Sequence, residues 1–390
     1  MASILTGLLN VSLFLSVVSA LFLILNHLSV PRLRPALPEE GGSRIAGLVS
    51  ICVPARNEER AIEVSIRSLL AQDDDAFEVV VIDDRSTDGT GRILLGLAGE
   101  DKRLTVLESS DPPPGWLGKP NALHLASQVA IGEWLLFVDA DVRLHPRTLA
   151  TVRRFFADEH LDFLTLFPHL ELEGFGEKSV LTFLGDGVSF LGPSFLANAS
   201  WFRSVNAGGG AFMMVSRSLY ESIGGHEALR DAVVDDIRLG IAAKKGGGRC
   251  RTALAFDLVK IRMYHGFREI VRGFSKNLFA GLGRSWINVG GVGAVLSLQV
   301  LLPVGVLVAF FAGAPFEPGA IRRAALAYAL VLGCRIVTDI RFERSLLFSV
   351  TLPLEVIAFI YMMFRSASDH RWHGGVEWRG RIYREGNEKK

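Results

Sequence analysis

Asp139 and Asp141 stand one residue apart at the end of the apolar run Trp134-Leu135-Leu136-Phe137-Val138. A short apolar run with a charged tip reads as a buried strand. Side chains alternate along a strand, so both carboxylates leave it on the same side. Held that close, they repel unless a cation intervenes. A hard divalent ion, Mg²⁺ or Mn²⁺, suits them and takes phosphate oxygens to complete its shell. Taken alone, an Asp-x-Asp triplet is as readily a pair of solvated loop acids. Two further clusters give it weight. Val53-Pro54-Ala55-Arg56-Asn57-Glu58-Glu59 follows an earlier apolar run, with Pro54 expected to stop the strand and Asn57-Glu58 to open a helix. Backbone amides at such a start either face an anion or a polar ring, or serve simple capping. Asp83-Asp84 closes the Val-rich run Glu78–Ile82, where a buried carboxylate can accept hydrogen bonds from a base or a ribose.

These clusters need a frame that brings strand ends together. Short apolar runs at Leu48–Val53, Glu78–Ile82, Leu104–Leu107 and Trp134–Val138 alternate with helical stretches at Glu59–Leu70, after Thr87-Asp88-Gly89-Thr90, and at Pro120–Ala130. This βαβ alternation predicts an α/β domain with a mainly parallel sheet. Ligands of such sheets bind beyond the carboxyl ends of the strands, where all the conspicuous polar clusters fall.

The chain has 390 residues, 49% of them hydrophobic and 21% charged. Its mean hydropathy is +0.31. A soluble domain joined to membrane segments accounts for both values. A net charge of +1 implies no bulk attraction to nucleic acid. Cys52, Cys250 and Cys334 are far apart, lack metal spacing and suit a reducing compartment. Residues 4–25 are apolar and uncharged, long enough to span a bilayer. A cleaved signal peptide is the competing reading, but Met1–Thr6 carries no base. Three more apolar stretches lie at 288–312, with Pro303 inside, at 323–340 and at 346–364. The second is doubtful because it holds Arg335 and Asp339, which can pair four residues apart on a helix. Glu355 in the third is similarly out of place, and an internal ion pair explains these charges better than transport does. Leu181–Trp201 is apolar and aromatic, either core or an interfacial surface that receives a lipid tail.

Five blocks in this order resemble the family 2 glycosyltransferases of GT-A fold. They are Val53–Glu58, Val81–Asp88, Val138–Asp141, Gly209-Gly210-Ala211-Phe212-Met213-Met214 and Val234-Asp235-Asp236, within residues 48–277. The resemblance implies that Asp84 contacts the nucleotide base and that Asp141, with Asp139, binds the metal. It further implies that Pro54, Ala55, Asn57, Glu58, Lys119 and Asp139 contact the nucleotide sugar and that Asp236 is the catalytic base. Asp235 and Asp236 also read as acids at the start of the helix Ile237–Lys244, where they meet its dipole. The two readings are compatible, and Asp235 raises the pKa of Asp236 by like charge. Lys119, Arg262 and Arg272 are cations for the leaving diphosphate, or else solvated surface charges.

Pro114–Ala122, Arg262-Met263-Tyr264 and Gly273-Phe274-Ser275-Lys276-Asn277 resemble the membrane enzymes that glycosylate isoprenoid lipids, the hopanoid-associated and carotenoid types. Ceramide glucosyltransferases and processive synthases usually carry Gln/Arg-x-x-Arg-Trp. Its nearest match here, Glu269–Gly273, lacks both Gln and Trp. The expectation is a membrane-bound, inverting, metal-dependent enzyme that moves one sugar from a nucleotide sugar, with a UDP-sugar as expected donor, to a lipid hydroxyl or carboxylate. Alternatives are a polyprenyl-phosphate sugar synthase, a nucleotidyltransferase and a non-enzymatic scaffold. A Gly-rich loop after the first strand is missing for the nucleotidyltransferase, and retention of Asp84, Asp139, Asp141 and Asp236 opposes the scaffold.

The expected organisation is an anchor at 1–30, a GT-A domain at 45–287, membrane helices at 288–364 and a basic tail at 365–390. Arg32 and Arg34, with no acid before Glu39, place residues 32–287 on the cytoplasmic side of the cell membrane, with Met1 outside. The basic tail is expected there too, which needs an even number of C-terminal crossings, with 323–340 not crossing.

Overall fold

The computed structural model describes residues 2–36, 44–205, 209–372, 376–378 and 381–383. Met1, Glu39, Arg379, Gly380 and residues 384–390, on which some expectations above touch, lie outside them. In chain order the elements are α1 (Ala2–Ser29), β1 (Val49–Ala55), α2 (Ile62–Leu70), β2 (Phe77–Asp83), α3 (Thr90–Glu100), β3 (Leu104–Glu108), α4 (Gly118–Val129), β4 (Trp134–Val138), β5 (Val142–Leu144), α5 (Thr148–Glu159), β6 (Phe163–Phe167) and β7 (His169–Leu170). Then come α6 (Phe175–Val180), α7 (Thr182–Asp186), a π-helical turn (Gly187–Leu191), α8 (Phe195–Asn198), β8 (Phe212–Ser216), α9 (Arg217–Ser222), α10 (Asp235–Lys245), β9 (Cys250–Leu254), β10 (Val259–Ile261) and α11 (Phe267–Gly281). The chain continues through α12 (Trp286–Leu296), α13 (Leu302–Phe311), α14 (Pro318–Arg341) and α15 (Leu352–Trp372) to the hairpin β11 (Val376–Trp378) and β12 (Arg381–Tyr383). Two units emerge, one of residues 30–171 and 196–263, the other of residues 1–29, 172–195 and 264–384.

The first unit is built on a seven-stranded sheet of order β3-β2-β1-β4-β8-β6-β9. The β3-β2-β1-β4 half is parallel, whereas β8 runs antiparallel to both neighbours. Both faces are apolar because the strands are continuous Val/Ile/Leu runs. Alternate residues therefore feed two cores. Val49, Ile51, Val53, Val79 and Val81 meet α2, α3 and α5 through Ile66, Leu94 and Phe156. Cys52, Val80 and Ile82 meet α4, α9 and α10 through Ala126, Leu219 and Leu239. A sheet with helices on both faces is the expected α/β layering.

Two local expectations need correction. Pro54 does not stop β1. It sits inside the strand, in register with Ile82 of β2. Pairing with β4 ends at Cys52, so Pro54 costs no hydrogen bond on that side. The following helix starts at Ile62, not Glu59. Asn57, with φ of 52°, turns the chain before it.

The second unit is helical. Phe183, Phe190, Phe279, Val300, Val331 and Val356 form its main core. Leu9, Val306, Ala320 and Ala324 form a smaller one. Among the described residues, three helical segments are long and apolar enough to cross a membrane: Ala2–Ser29, Trp286–Phe311 and Leu346–His370. Pro303 opens the second half of the middle one, after a π-helical turn at Ser297–Leu301 that absorbs the break in the hydrogen-bond ladder. α14, which contains the doubtful stretch 323–340, is not among them. Its Arg335 is fully buried and pairs with Asp339 at 2.7 Å, with Glu355 at 2.7 Å and with Asp186. The charges that look misplaced in the sequence thus satisfy one another.

Candidate functional site

β1, β2 and β4 run parallel, so their carboxyl ends lie on one edge of the sheet. At the end of β2, Asp84 is buried. Its backbone N–H donates to the Ala55 carbonyl at 2.8 Å, which ties it to the end of β1. Its Oδ1 accepts from Ser109 Oγ at 3.0 Å and from Arg85 Nη2 at 3.0 Å. Arg56 caps the Asp84 carbonyl at 2.6 Å. The loops after β1 and β2 are stitched together. The amides of Asn57, Glu58 and Glu59 donate to Ser86 Oγ, Thr90 Oγ1 and Asp88 Oδ2. Those amides are therefore engaged with side chains. Asn57 also offers its Oδ1 to the Thr87 amide at 2.8 Å.

The second cluster forms where β4 ends. Antiparallel pairing matches Val138 with Phe212, so the Gly209-Gly210-Ala211 segment returns alongside Asp139. Lys119, in the first turn of α4, places Nζ 2.7 Å from Asp139 Oδ1. Gly210 lies where three side chains converge. A Cβ there would meet Lys119 Nζ at 3.1 Å, Asp139 Oδ2 at 3.3 Å and Asp236 Oδ2 at 3.5 Å. Four residues far apart in sequence thus share one spot.

Asp236 opens α10, and its Oδ1 accepts from the Ile237 amide at 2.8 Å. Burial, reinforced by the charge of Asp235, pushes its carboxyl up to about 6. Lys119 responds in the opposite sense. Burial disfavours its charge, but the carboxylates of Asp139, Asp235 and Asp236 outweigh that and hold the ammonium well above the usual lysine range.

Asp141 lies in the turn between β4 and β5, half-buried like Asp139. β5 pairs antiparallel with β10, matching Val142 with Ile261. One step further, that register sets Arg262 opposite Asp141. Arg272 lies in the helical unit, exposed on α11. Among the described residues no group of three or more His, Cys, Asp or Glu is placed to hold a metal by itself. Two half-buried carboxylates, Asp139 and Asp141, match a Mg²⁺ or Mn²⁺ that takes its remaining oxygens from water and a diphosphate.

His226 escapes sequence reasoning. It is fully buried, and burial with the nearby Lys119 pushes it down to about 3, so the ring is neutral. Tyr220 Oη lies 2.9 Å from its Nδ1 and accepts from its backbone N–H at 3.0 Å. Its Nε2 is 4.0 Å from Asp235 Oδ2, and neither atom has a hydrogen-bond partner among the described residues. Asp235 thus faces a neutral ring on this side, while Lys119 supplies the nearby positive charge. Only the unremarkable Gly224-Gly225-His226 turn marks this in the sequence.

Comparison with known proteins bears on the same residues. The family described as Glycosyl transferase family 2 matches residues 50–224. A 4,4'-diaponeurosporenoate glycosyltransferase of Staphylococcus aureus is 24% identical over 350 residues, covering 86% of this chain and 88% of that one. The enzyme of the same name from Staphylococcus haemolyticus is 24% identical over 270 residues, covering 67% and 68%. Among solved structures, a Pyrobaculum calidifontis mannosyltransferase in complex with GDP-Man and Mn²⁺ superposes with a TM-score of 0.57 at 19% identity, covering 94% of this chain and 99% of that one. The matched segment holds β1, β2, β4 and β8, whose ends carry Asp84, Asp139, Asp141 and Gly210; the chain has a GT-A-like fold, and within that segment it is similar to the family 2 glycosyltransferases.

Proposed function

We propose that this enzyme transfers a single sugar from a nucleoside diphosphate sugar to a hydroxyl or carboxylate of an apolar, isoprenoid-type lipid at the cytoplasmic face of the cell membrane. The observation that carries the reading is the convergence of Lys119, Asp139 and Asp236 around Gly210. β2 and β4 flank β1, so their ends lie about 10 Å apart, a gap that a nucleoside and its diphosphate bridge. Asp84 receives the base, and the carbonyl ends of Pro54 and Ala55, with Asn57 and Glu58, form the wall beside it. Asp139 and Asp141 hold the metal, which when bound neutralises diphosphate charge. Lys119, kept protonated by its three carboxylates, meets the same charge, with Arg262 opposite Asp141.

Asp236 accepts the proton of a hydroxyl acceptor; a carboxylate acceptor is already ionised and attacks without giving one up. The raised pKa of Asp236 leaves it ionised at neutral pH yet basic enough to take a proton in the transition state. The acceptor oxygen attacks the anomeric carbon while the bond to the diphosphate breaks, an in-line displacement that inverts the centre. The lipid acceptor is supported by the three long apolar helices and by the carotenoid-type relatives. Residues 365–390 are proposed to lie on the cytoplasmic side as well.

The test incubates membranes containing the chain with radiolabelled UDP- and GDP-sugars and extracts the lipid. One labelled lipid, carrying one sugar and absent with Asp236→Asn, is expected. A ladder of glycan lengths, or no label in the organic phase with any donor, overturns the reading.

A further inference from the structure

Within the helical unit, a cavity of about 280 Å³ opens between α11 and α15. Its lining is Phe267, Arg268, Val271 and Arg272 from α11, with Tyr361 and Arg365 from α15. Three guanidiniums around one small cavity repel one another unless an anion joins them. The described residues supply little counter-charge. Arg268 and Arg272 make no hydrogen bond or ion pair with them, and Arg365 has Asp369 at 3.7 Å and Tyr361 Oη at 3.3 Å. The guanidinium fork suits an oxyanion, phosphate above all.

A second observation says what kind of anion. Leu354 and Ile357 are exposed on α15, and the same stripe runs on to Tyr361 at spacings of three and four residues. α15 belongs to a helix long and apolar enough to cross a bilayer, and the cavity sits toward its C-terminal, basic end. The half-exposed Phe267 adds an apolar rim. An apolar stripe that leads into a cluster of arginines matches a molecule with an apolar tail and an anionic head. Basic pockets between membrane helices on the cytoplasmic side bind such headgroups.

We infer that the α11–α15 cavity is a binding site for the phosphate headgroup of an anionic bilayer phospholipid, whose acyl chain lies along the Leu354–Tyr361 face of α15. Arg272 thereby meets a lipid phosphate rather than the diphosphate of the sugar donor. The site is independent of the transfer reaction, so its test reads lipid retention and not turnover.

The full chain, purified in detergent, is exchanged into phosphatidylglycerol or phosphatidylcholine at equal concentration, and retained lipid is counted by native mass spectrometry. Phosphatidylglycerol is expected to be retained about tenfold more than phosphatidylcholine. Arg268→Gln with Arg365→Gln should abolish that preference, whereas Arg322→Gln, exposed on α14 outside the cavity, should not. An unchanged melting temperature confirms that the double variant is folded. Should it not be, the single variant Arg268→Gln, on an exposed side chain, reads the same loss to a smaller degree. Equal retention of the two lipids, or a preference that survives in the folded variants, overturns the proposal. Displacement of the lipid by millimolar inorganic phosphate also overturns it, because it reduces the site to an anion hole to which the tail contributes nothing.

Discussion

Gly210→Ala is the sharpest probe of the catalytic cluster. Gly210 is not held at positive φ, so the backbone accepts alanine. The space does not. The new methyl would lie 3.1 Å from Lys119 Nζ and 3.3 Å from Asp139 Oδ2, tighter than carbon normally comes to such groups, and in ordinary contact with Asp236 Oδ2 at 3.5 Å. Each neighbour is the end of a side chain, so each can yield by a few tenths of an ångström without unfolding the domain. The Lys119–Asp139 pair, now at 2.7 Å, must open or tilt to do so. The methyl also excludes water from two carboxylates and occupies room beside the base. Misplacing a reacting constellation by about 1 Å costs on the order of 10²-fold. That corresponds to about 2.7 kcal/mol of transition-state stabilisation, against a stability change below about 1 kcal/mol. Gly209→Ala is the control, since a Cβ at Gly209 meets nothing within 4 Å. The assay is initial-rate transfer of labelled sugar into lipid, alongside a thermal melt. If Gly210→Ala keeps more than half the wild-type rate, the three side chains do not surround the reacting centre. If Gly209→Ala falls as far, loop flexibility and not the shared space is responsible.

Asp236→Asn keeps the shape of the side chain and removes its basicity. Transfer should drop about 10²–10⁴-fold with donor affinity intact, measured by donor titration and single-turnover rates. In the wild type, kcat/KM should fall about tenfold per pH unit below about 6, because a base raised to about 6 is protonated there; a flat profile down to pH 5 removes Asp236 from that role. Asp141→Asn should lose at least about tenfold in rate, and chelator should silence the wild type until Mn²⁺ or Mg²⁺ is restored; full activity in excess chelator rejects the metal role of Asp139 and Asp141. His226, pushed down to about 3 in the fold, binds a proton only when unfolded over the range from about pH 6.5 to 3, so stability falls with acidity by about 1.4 kcal/mol per unit there. His226→Phe should lower stability at pH 7 yet flatten that slope in denaturant titrations, and an unchanged slope assigns the acid sensitivity elsewhere.

The sheet was legible because each strand is an uninterrupted apolar run that ends in charge, a pattern that few other local structures produce. Asp84, Asp139 and Asp141 could be picked out for the same reason: strand ends are where a parallel sheet exposes chemistry. Pro54 misled because a proline ends a strand only when both edges are paired there, and the pairing with β4 that ends at Cys52 is a tertiary fact. The amides of Asn57 and Glu58 were readable in two ways, toward an anion or as simple capping. Whether a free N–H faces a ligand or Ser86 and Thr90 depends on a loop thirty residues further on.

What the sequence hid most thoroughly are groups whose meaning lies in their neighbours. Gly210 stands in the sequence only as part of a block of the family resemblance, yet its importance is the volume it leaves to Lys119, Asp139 and Asp236. Gly273, expected only as part of a block, leaves the space that a Cβ would take to the ring of Tyr264, which joins two blocks that are separate in the sequence. Arg272 is the clearest case. As a lone cation downstream of the catalytic acid it invites assignment to the diphosphate. On α11 it shares a cavity with Arg268, one helical turn before it, and with Arg365, ninety-three residues later on a membrane-length helix. A single arginine does not say which anion it serves. Three around one cavity, at the end of an apolar stripe, are the observation on which the lipid-phosphate proposal rests.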